Sequence, residues 1–226
     1  MATEQIPTTL IADDAVTGAK IENNPTVAGN LTVSGTTTAT GAFTASGGIT
    51  AGTIGSSVVF PAGHIIQVTQ TVKTSAFTMA ANSNEQPITG YNCSITPHKT
   101  GSKILVNYSF DTSASIDTTA RTYIERDIGG GGYSNLTGMM GDDPGGVNGP
   151  EPSLSHGGGT ETWLMHKHAG MYLDSPSYSS GNAITYRIGI QSEGSGQTLV
   201  VGKTWRDNSK YHPRTASILI LMEVAQ

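Results

Sequence analysis

Glycine recurs every six residues near the start of the chain, within a stretch that carries no charge. The positions are Gly29, Gly35, Gly41 and Gly47, and residues 23–72 contain no Asp, Glu, Lys or Arg. Small or apolar residues stand two apart between successive glycines, a spacing that places them on one face of a short extended segment. A glycine at a fixed place supplies a bend or lets another backbone approach closely. The period therefore predicts a repeated β unit.

One such unit is too narrow to bury its own apolar face, so the repeats must pack against something else. Their apolar residues are too small and too few to fill a single-chain solenoid, whereas three chains around one axis can cover each other. We therefore predict an intertwined trimeric β shaft over residues 23–60, with a flexible Gly/Ser/Thr linker as the alternative. A triple β-spiral, an interleaved β-helix and a looser braid all tolerate this period. The predicted shaft core is Val27, Leu31, Val33, Phe43 and Ile49.

The composition also favours self-association. Hydrophobic residues make up 36% and charged residues 13% of the 226 residues, against about 45–50% and about 25% in typical globular proteins. The net charge of -5 is small and β-branched residues are frequent, which is not the pattern of a disordered chain. A chain with so little core and so little surface charge is expected to bury surface against copies of itself. We expect a homotrimer.

Charge and motifs argue against several classes of function. A mildly acidic chain without a Lys/Arg stripe is not expected to bind nucleic acid. The start, MATEQIPTTLIADD, lacks a secretory signal, and no apolar run is long enough to span a bilayer, so we expect a cytosolic product without membrane insertion. The fragments KTGSKI, EGSGQ and GGGGYSNLTG match no phosphate-loop or nucleophile motif. We expect no enzymatic activity.

The remainder of the chain alternates apolar and polar residues in short runs separated by turn residues, as strands do. In the run AITYRIGI, Ile184, Tyr186, Ile188 and Ile190 share one face. We therefore expect an all-β fold, in which residues 61–226 form an antiparallel β-sandwich head with jelly-roll topology. The predicted strands are 64–73, 88–96, 103–111, 121–128, 160–173, 183–192, 197–205 and 215–224.

Two histidines stand two apart in the segment WLMHKHAG. On a strand, His166 and His168 face the same way, and two neutral imidazoles on one face form half of a transition-metal site. Three such pairs would converge on the axis of a trimer. The alternative is a strand whose histidines lie on an exposed face or at a subunit contact. No other cofactor is indicated, and the single cysteine, Cys93, excludes an intrachain disulfide.

A glycine-dense insertion spans residues 129–159. Long loops in compact domains are functional or disordered, and glycine with scattered aromatic and Met residues is typical of adaptable binding surfaces. We therefore predict receptor contacts in this insertion and at two aromatic residues outside it. The candidates are Tyr133, Leu136, Met139, Met140, His156, Trp163 and Tyr211.

Four segments, in a fixed order, resemble the C-terminal domain of bacteriophage tail-fibre and virion fibre proteins. They are AGHIIQV, SITPHKTGSKILV, MYLDSPSYSSGNAITYRIGI and ASILILMEVA, and they span roughly residues 62–226. The segments LIADDAVTGAKI and GNLTVSGTTT resemble fibre segments that precede such domains. The resemblance implies a homotrimeric virion protein with a C1q-like (TNF-like) β-sandwich head, an attachment or decoration role, and no enzymatic activity. The insertion and WLMHKH depart from the family pattern, so the resemblance implies no role for them.

Two functions fit these expectations. In the first, residues 1–22 dock to other virion proteins, residues 23–60 trimerise, and the head at 61–226 binds a glycan or protein on the host cell. In the second, the protein decorates the head, collar or tail and stabilises the particle without binding a receptor. Both place the protein in the virion, assembled in the host cytoplasm. Nearly extended, the shaft would span at most about 100 Å, which suits a short fibre or spike.

Overall fold

The computed structural model describes residues 28, 30–42, 44, 46, 58–79, 85–115, 118–140, 154–157, 163–192 and 198–226. The chain divides into two compact units, residues 1–53 and 54–226. Within the described part of the first unit no residue belongs to a helix or a strand. Leu31 and Val33, from the predicted shaft core, are 72% and 49% exposed in the single chain. Outside the described residues lie the docking segment 1–22 and the shaft positions Val27, Gly29, Phe43, Gly47 and Ile49.

The second unit is an all-β, antiparallel sandwich, which confirms the all-β sandwich predicted for residues 61–226. Its described residues form eleven strands and one short 3-10 helix at Thr137–Met139, and no described helix could cross a membrane. A strand overlaps each of the eight predicted ranges, but β8 begins only at His166 and β10 covers only Leu199–Val201. The short strands β2, β6 and β7 were not predicted. The strands are β1 Ile65–Lys73, β2 Phe77–Thr78, β3 Gln86–Ile95, β4 Lys103–Ala114, β5 Thr118–Ile128, β6 Ser134–Asn135, β7 Leu154–Gly157, β8 His166–Asp174, β9 Ile184–Ser192, β10 Leu199–Val201 and β11 Ser217–Val224.

The strands pair in a nested order. The first sheet runs β1-β11-β4-β8, with β10 and β2 extending it beside the far end of β4. The second sheet runs β3-β9-β5, with β6 and β7 following one another along the outer edge of β5. The first long strand thus pairs with the last, β3 with β9, β4 with β8, and β5 with the two short edge strands. Because β1 lies beside β11, the backbone N–H of Ala225 also donates a hydrogen bond to the carbonyl oxygen of His64, at 2.8 Å.

The hydrophobic core lies between the two sheets. The predicted face of β9 is confirmed, because Ile184, Tyr186, Ile188 and Ile190 are all 0% exposed. Alternate residues of β4 meet them from the opposite sheet, since side chains of a strand point to the two faces in turn. The buried residues of β4 are Ile104, Val106, Tyr108 and Phe110.

Glu223 in β11 connects segments that carry the resemblance to phage fibre proteins. It is fully buried, and its carboxylate accepts hydrogen bonds from the backbone N–H groups of His98 (2.9 Å) and Lys99 (3.0 Å) and from Nε2 of Gln67 (2.7 Å). Burial raises the pKa of Glu223, but these hydrogen bonds outweigh burial and lower it below the ordinary value. The ending MEVA therefore holds the turn in SITPHKTGS in place.

The glycine-rich insertion at 129–159 is not one continuous loop. Near its start, Asn135 of β6 pairs with Glu125 of β5, and near its end Leu154 of β7 pairs with Arg121. Both parts of the insertion therefore form the edge of the second sheet, where pairing with β5 satisfies backbone groups that a free loop would leave to water. Residues 141–153 and 158–162 lie outside the described residues.

Candidate functional site

The outward face of the first sheet is apolar across four neighbouring strands. Strand registers place its residues in three rows, each running β1, β11, β4, β8. We call these residues the apolar face, although its second and third rows include some small and polar side chains. The rows are Val68, Met222, Leu105 and Leu173; Gln70, Ile220, Asn107 and Met171; and Val72, Ile218, Ser109 and Ala169.

Large side chains of the apolar face are open to solvent in the single chain. Val68 is 55%, Val72 51%, Met171 65% and Leu173 42% exposed. Beyond the third row, an ion pair of 3.0 Å between Lys167 and Asp111 closes the face at one end. Monomeric soluble proteins rarely expose contiguous apolar surface of this kind, and where it occurs it marks an interaction site.

The outward face of the second sheet has the opposite character. Arg187 makes two hydrogen bonds to Glu125, at 2.6 and 2.9 Å, and its guanidinium lies 3.7 Å from the ring centre of Tyr133. Ser94 and Thr185 share a hydrogen bond of 2.8 Å across β3 and β9. A sheet that covers a core on one side and meets water on the other is expected to carry such polar groups. Only the first sheet departs from that expectation on its outward side.

Sequence reasoning missed the apolar face, although one signal for it was present. Strand β11 reads SILILMEV, an unbroken apolar run rather than an alternation. Such a run is typical of a strand that is covered on both faces. Other residues of the apolar face, such as Val68 and Met171, lie on separate strands. The sequence alone does not show that the strand registers bring them together.

His168 lies in the core, and the predicted metal half-site is not formed. The side chain is 3% exposed, its ring stacks on Phe110 with centres 4.7 Å apart, and its Nε2 and Nδ1 lie 2.8 and 3.0 Å from the hydroxyls of Thr112 and Thr122. Both ring nitrogens are therefore engaged. His166 shares this face, as predicted, but it is only half-buried. The described residues contain no group of three His, Cys, Asp or Glu side chains that could hold a metal ion.

The environment of His168 favours its neutral form. Burial lowers the pKa of His168 to about 4, and the neighbouring His166 acts in the same direction, while Asp111 opposes it. Thr112 belongs to β4 and Thr122 to β5. The neutral ring, with one donor and one acceptor nitrogen, thus links the two sheets.

A second polar link between the sheets is formed by Asp174 at the end of β8. Arg126 Nη1 donates to both carboxylate oxygens, at 2.8 and 2.6 Å, and the hydroxyl of Tyr186 donates to Oδ2 at 2.7 Å. Burial raises the pKa of Tyr186, and the charge of Asp174 adds to the effect. Asp174 belongs to the LDSP motif, so this motif residue has a structural role.

The predicted receptor contacts fall into different environments. Leu136 is 5% exposed and packs in the core, so its prediction as a surface contact is wrong; its backbone N–H bonds to Ile124 O at 2.9 Å, which holds it against β5. Tyr133, Trp163 and Tyr211 are 37%, 46% and 81% exposed. Met139 and Met140 are half-buried, and the side chain of His156 lies outside the described residues.

Two solved structures show a distant likeness to this chain. The sequence matches no protein-family model and no curated protein. The N-terminal cellulose-binding domain of Cellulomonas fimi β-1,4-glucanase C is 11% identical, with 70% of this chain and 90% of that chain covered and a TM-score of 0.29. A structure of infectious bursal disease virus, Gx strain, is 9% identical, with 72% of this chain and 38% of that chain covered and a TM-score of 0.33. Likenesses at this level carry no argument about function.

Proposed function

We propose that this chain is a homotrimeric fibre or spike protein of a bacteriophage virion, and that its head domain attaches the particle to the host cell. The observation that carries the proposal is the apolar face. Val68, Met171 and Leu173 lose their contact with water if the face packs against neighbouring copies of the chain, and burying apolar surface is the main driving force of association.

The strand order supports the jelly-roll part of this proposal, while the C1q-like kind rests on the resemblance alone. In a jelly roll, one long hairpin of eight strands is rolled into two sheets, so that strands pair in nested order. Here β1 pairs with β11, β3 with β9, β4 with β8, and β5 with β7. This agrees with the head that the resemblance to phage fibre proteins implies.

The shaft glycines support close approach of several chains. A Cβ added at Gly35 or Gly41 would meet no described atom within 4 Å, and neither residue has the positive φ that favours glycine. The described residues of the single chain thus leave room for a side chain at both positions. Close packing of three chains on one axis would supply a reason for glycine there.

The trimer contact is tested by placing a charge on the apolar face. Met171→Lys puts an ammonium group at a position that is 65% exposed in the single chain, so the fold should tolerate it while the interface should not. We expect the variant trimer to dissociate at a higher protein concentration than the wild type. Asn92→Lys, on the exposed outward side of β3, is the matched control. Equal dissociation of the two variants would contradict the assignment of the face.

Attachment is tested with labelled full-length protein on a panel of bacterial strains. A variant in which a short Gly/Ser linker replaces residues 141–153 keeps both edge strands of the insertion. We expect it to remain trimeric and to lose binding to the strain that the wild type binds. If the variant binds as well as the wild type, the insertion is not the receptor contact. If the wild type binds no strain and lies between other virion proteins in a particle reconstruction, the decoration role replaces attachment.

A further inference from the structure

The segment between β10 and β11 concentrates positive charge in an acidic protein. Four of the chain's twelve Lys and Arg residues lie between positions 203 and 214, with Asp207 as the one acidic residue among them, while the whole chain has a net charge of -5. We call residues 203–214 the basic loop. Its cationic residues are Lys203, Arg206, Lys210 and Arg214.

The basic loop also presents aromatic rings to solvent. Tyr211 is 81% exposed and Trp205 is 37% exposed. The ammonium group of Lys210 lies 5.2 Å from the ring centre of Tyr211. Arg206 and Lys210 are exposed and make no ion pair with any described residue. An exposed aromatic ring and a cation that has no ion-pair partner among the described residues are thus next to each other.

A network around Asp207 fixes the shape of the basic loop. The carboxylate accepts from Arg214 Nε at 3.1 Å and Nη2 at 2.6 Å, and Lys203 Nζ lies 3.5 Å away. Asp207 has a φ of 29°, which is unusual for a residue other than glycine, and such strain persists only when the surroundings hold it. The backbone N–H of Trp205 is anchored to Ser113 Oγ at 3.1 Å. A loop held in this way loses little entropy when it binds a ligand.

The basic loop lies at one end of the sandwich. Val201, just before it, is opposite Thr112 at the far end of β4, whereas Val224 is opposite Lys103 at the near end. The two chain ends of the head, at His64 and Ala225, meet at that near end. The loop is therefore at the end of the head opposite its two chain ends.

We infer that the basic loop binds an acidic saccharide, with Lys210 and Arg206 on its carboxylate or phosphate group and Tyr211 against the face of a sugar ring. Guanidinium and ammonium groups form strong hydrogen bonds with both anions, and an exposed ring offers apolar area with a polar edge. A long polyanion such as nucleic acid would extend beyond the loop onto a chain whose net charge is -5, whereas a single acidic sugar meets only the loop. The inference names a ligand class for the proposed attachment role and rests on that role.

Calorimetric titration of the full-length protein tests this inference. The probes are tetragalacturonate for a carboxylate, pentamannose 6-phosphate for a phosphate, and mannopentaose as the neutral counterpart. We expect at least one acidic probe to bind, more weakly as NaCl rises from about 0.05 to about 0.5 M, and mannopentaose not to bind measurably. Which acidic probe binds tells the two anions apart. The inference is overturned if neither acidic probe binds or if mannopentaose binds equally well.

Variants identify the residues. Lys210→Glu and Tyr211→Ala should each weaken binding about tenfold or more, as residues at the centre of a contact do. Lys103→Glu is the charge reversal at the first residue of β4, at the other end of the sandwich. Equal losses in Lys103→Glu and Lys210→Glu would show a general charge effect and refute the site. The mass measured by light scattering on the same samples separates the two proposals. If the protein is a trimer but binds no acidic probe, only the ligand inference is wrong. If it is a monomer, the proposed homotrimeric fibre is wrong.

Discussion

Buried His168 should make the head sensitive to acid, and replacing it by Gln should reduce this sensitivity. Its pKa is lowered in the fold from 6.5 to about 4. Between these two values the unfolded chain binds more protons than the folded chain, so the free energy of unfolding falls as pH is lowered through the window. Above about pH 6.5 the neutral ring is present in both states and the full contribution remains.

The size of the effect follows from the same two values. A pKa lowered from 6.5 to about 4 corresponds to about 3 kcal/mol of preference of the folded state for the neutral ring. The free energy of unfolding should therefore drop by up to about 1.4 kcal/mol for each pH unit inside the window. His168→Gln removes the titrating ring. The variant is expected to be less stable at neutral pH, because Gln cannot reproduce the stacking on Phe110, but its pH dependence should be flatter.

Guanidinium unfolding of the wild type and the variant, followed by tryptophan fluorescence at several pH values between about 4 and 7, measures this difference. The exposed His98 supplies the matched control, because His98→Gln also removes one histidine but leaves the core unchanged. We expect the control to keep the wild-type slope. If His168→Gln and the wild type lose stability in parallel as pH falls, the buried neutral histidine is not the cause and the reasoning fails.

Three further substitutions test other parts of the structure. Asp174→Ala leaves Arg126 and Tyr186 without their shared partner and should cost about 3 kcal/mol, a fall of about 6–12 °C in Tm. Lys210→Ala, at an exposed position, should cost less than about 0.5 kcal/mol. Glu223→Gln removes the charged acceptor of three hydrogen bonds and should lower the free energy of unfolding, measured in urea, by about 2 kcal/mol. Gln67→Ala, which removes one of the three donors, should lower it less. Equal losses in the two variants would contradict the role of the carboxylate. Leu136→Ala leaves a cavity at a core position that is 5% exposed and should lower the free energy of unfolding by about 2–4 kcal/mol. If stability does not fall, Leu136 is not a core residue, and the surface contact predicted from the sequence stands.

The sandwich itself could be predicted because its strands carry strong local patterns. In β9, apolar residues alternate with polar ones over the whole strand, and turn residues flank it, so position and buried face both follow from the sequence. The edge strands β6 and β7 could not be found in this way. They are short, and they pair only because β5 leaves its outer edge open beside them.

The candidate sites depended on distant contacts and were predicted less well. The spacing of His166 and His168 shows that they share a face but not which face. The partners that hold His168 in the core, Thr112 and Thr122, come from strands 56 and 46 residues away in the sequence. The rows of the apolar face likewise require the register of four strands. Tyr211 was predicted to be a surface aromatic, but the network at Asp207 that shapes its loop has no sequence signature.

The mass of the 226-residue chain in native buffer is the most direct test of the proposed homotrimer. Multi-angle light scattering should return about 70 kDa, three times the chain mass of 23.4 kDa, because the apolar face and the shaft repeat both require partners of the same kind. The mass should remain constant on dilution through the micromolar range. A mass of 23.4 kDa under these conditions would mean that the apolar face is exposed in the native protein, and the proposed homotrimeric fibre would be wrong.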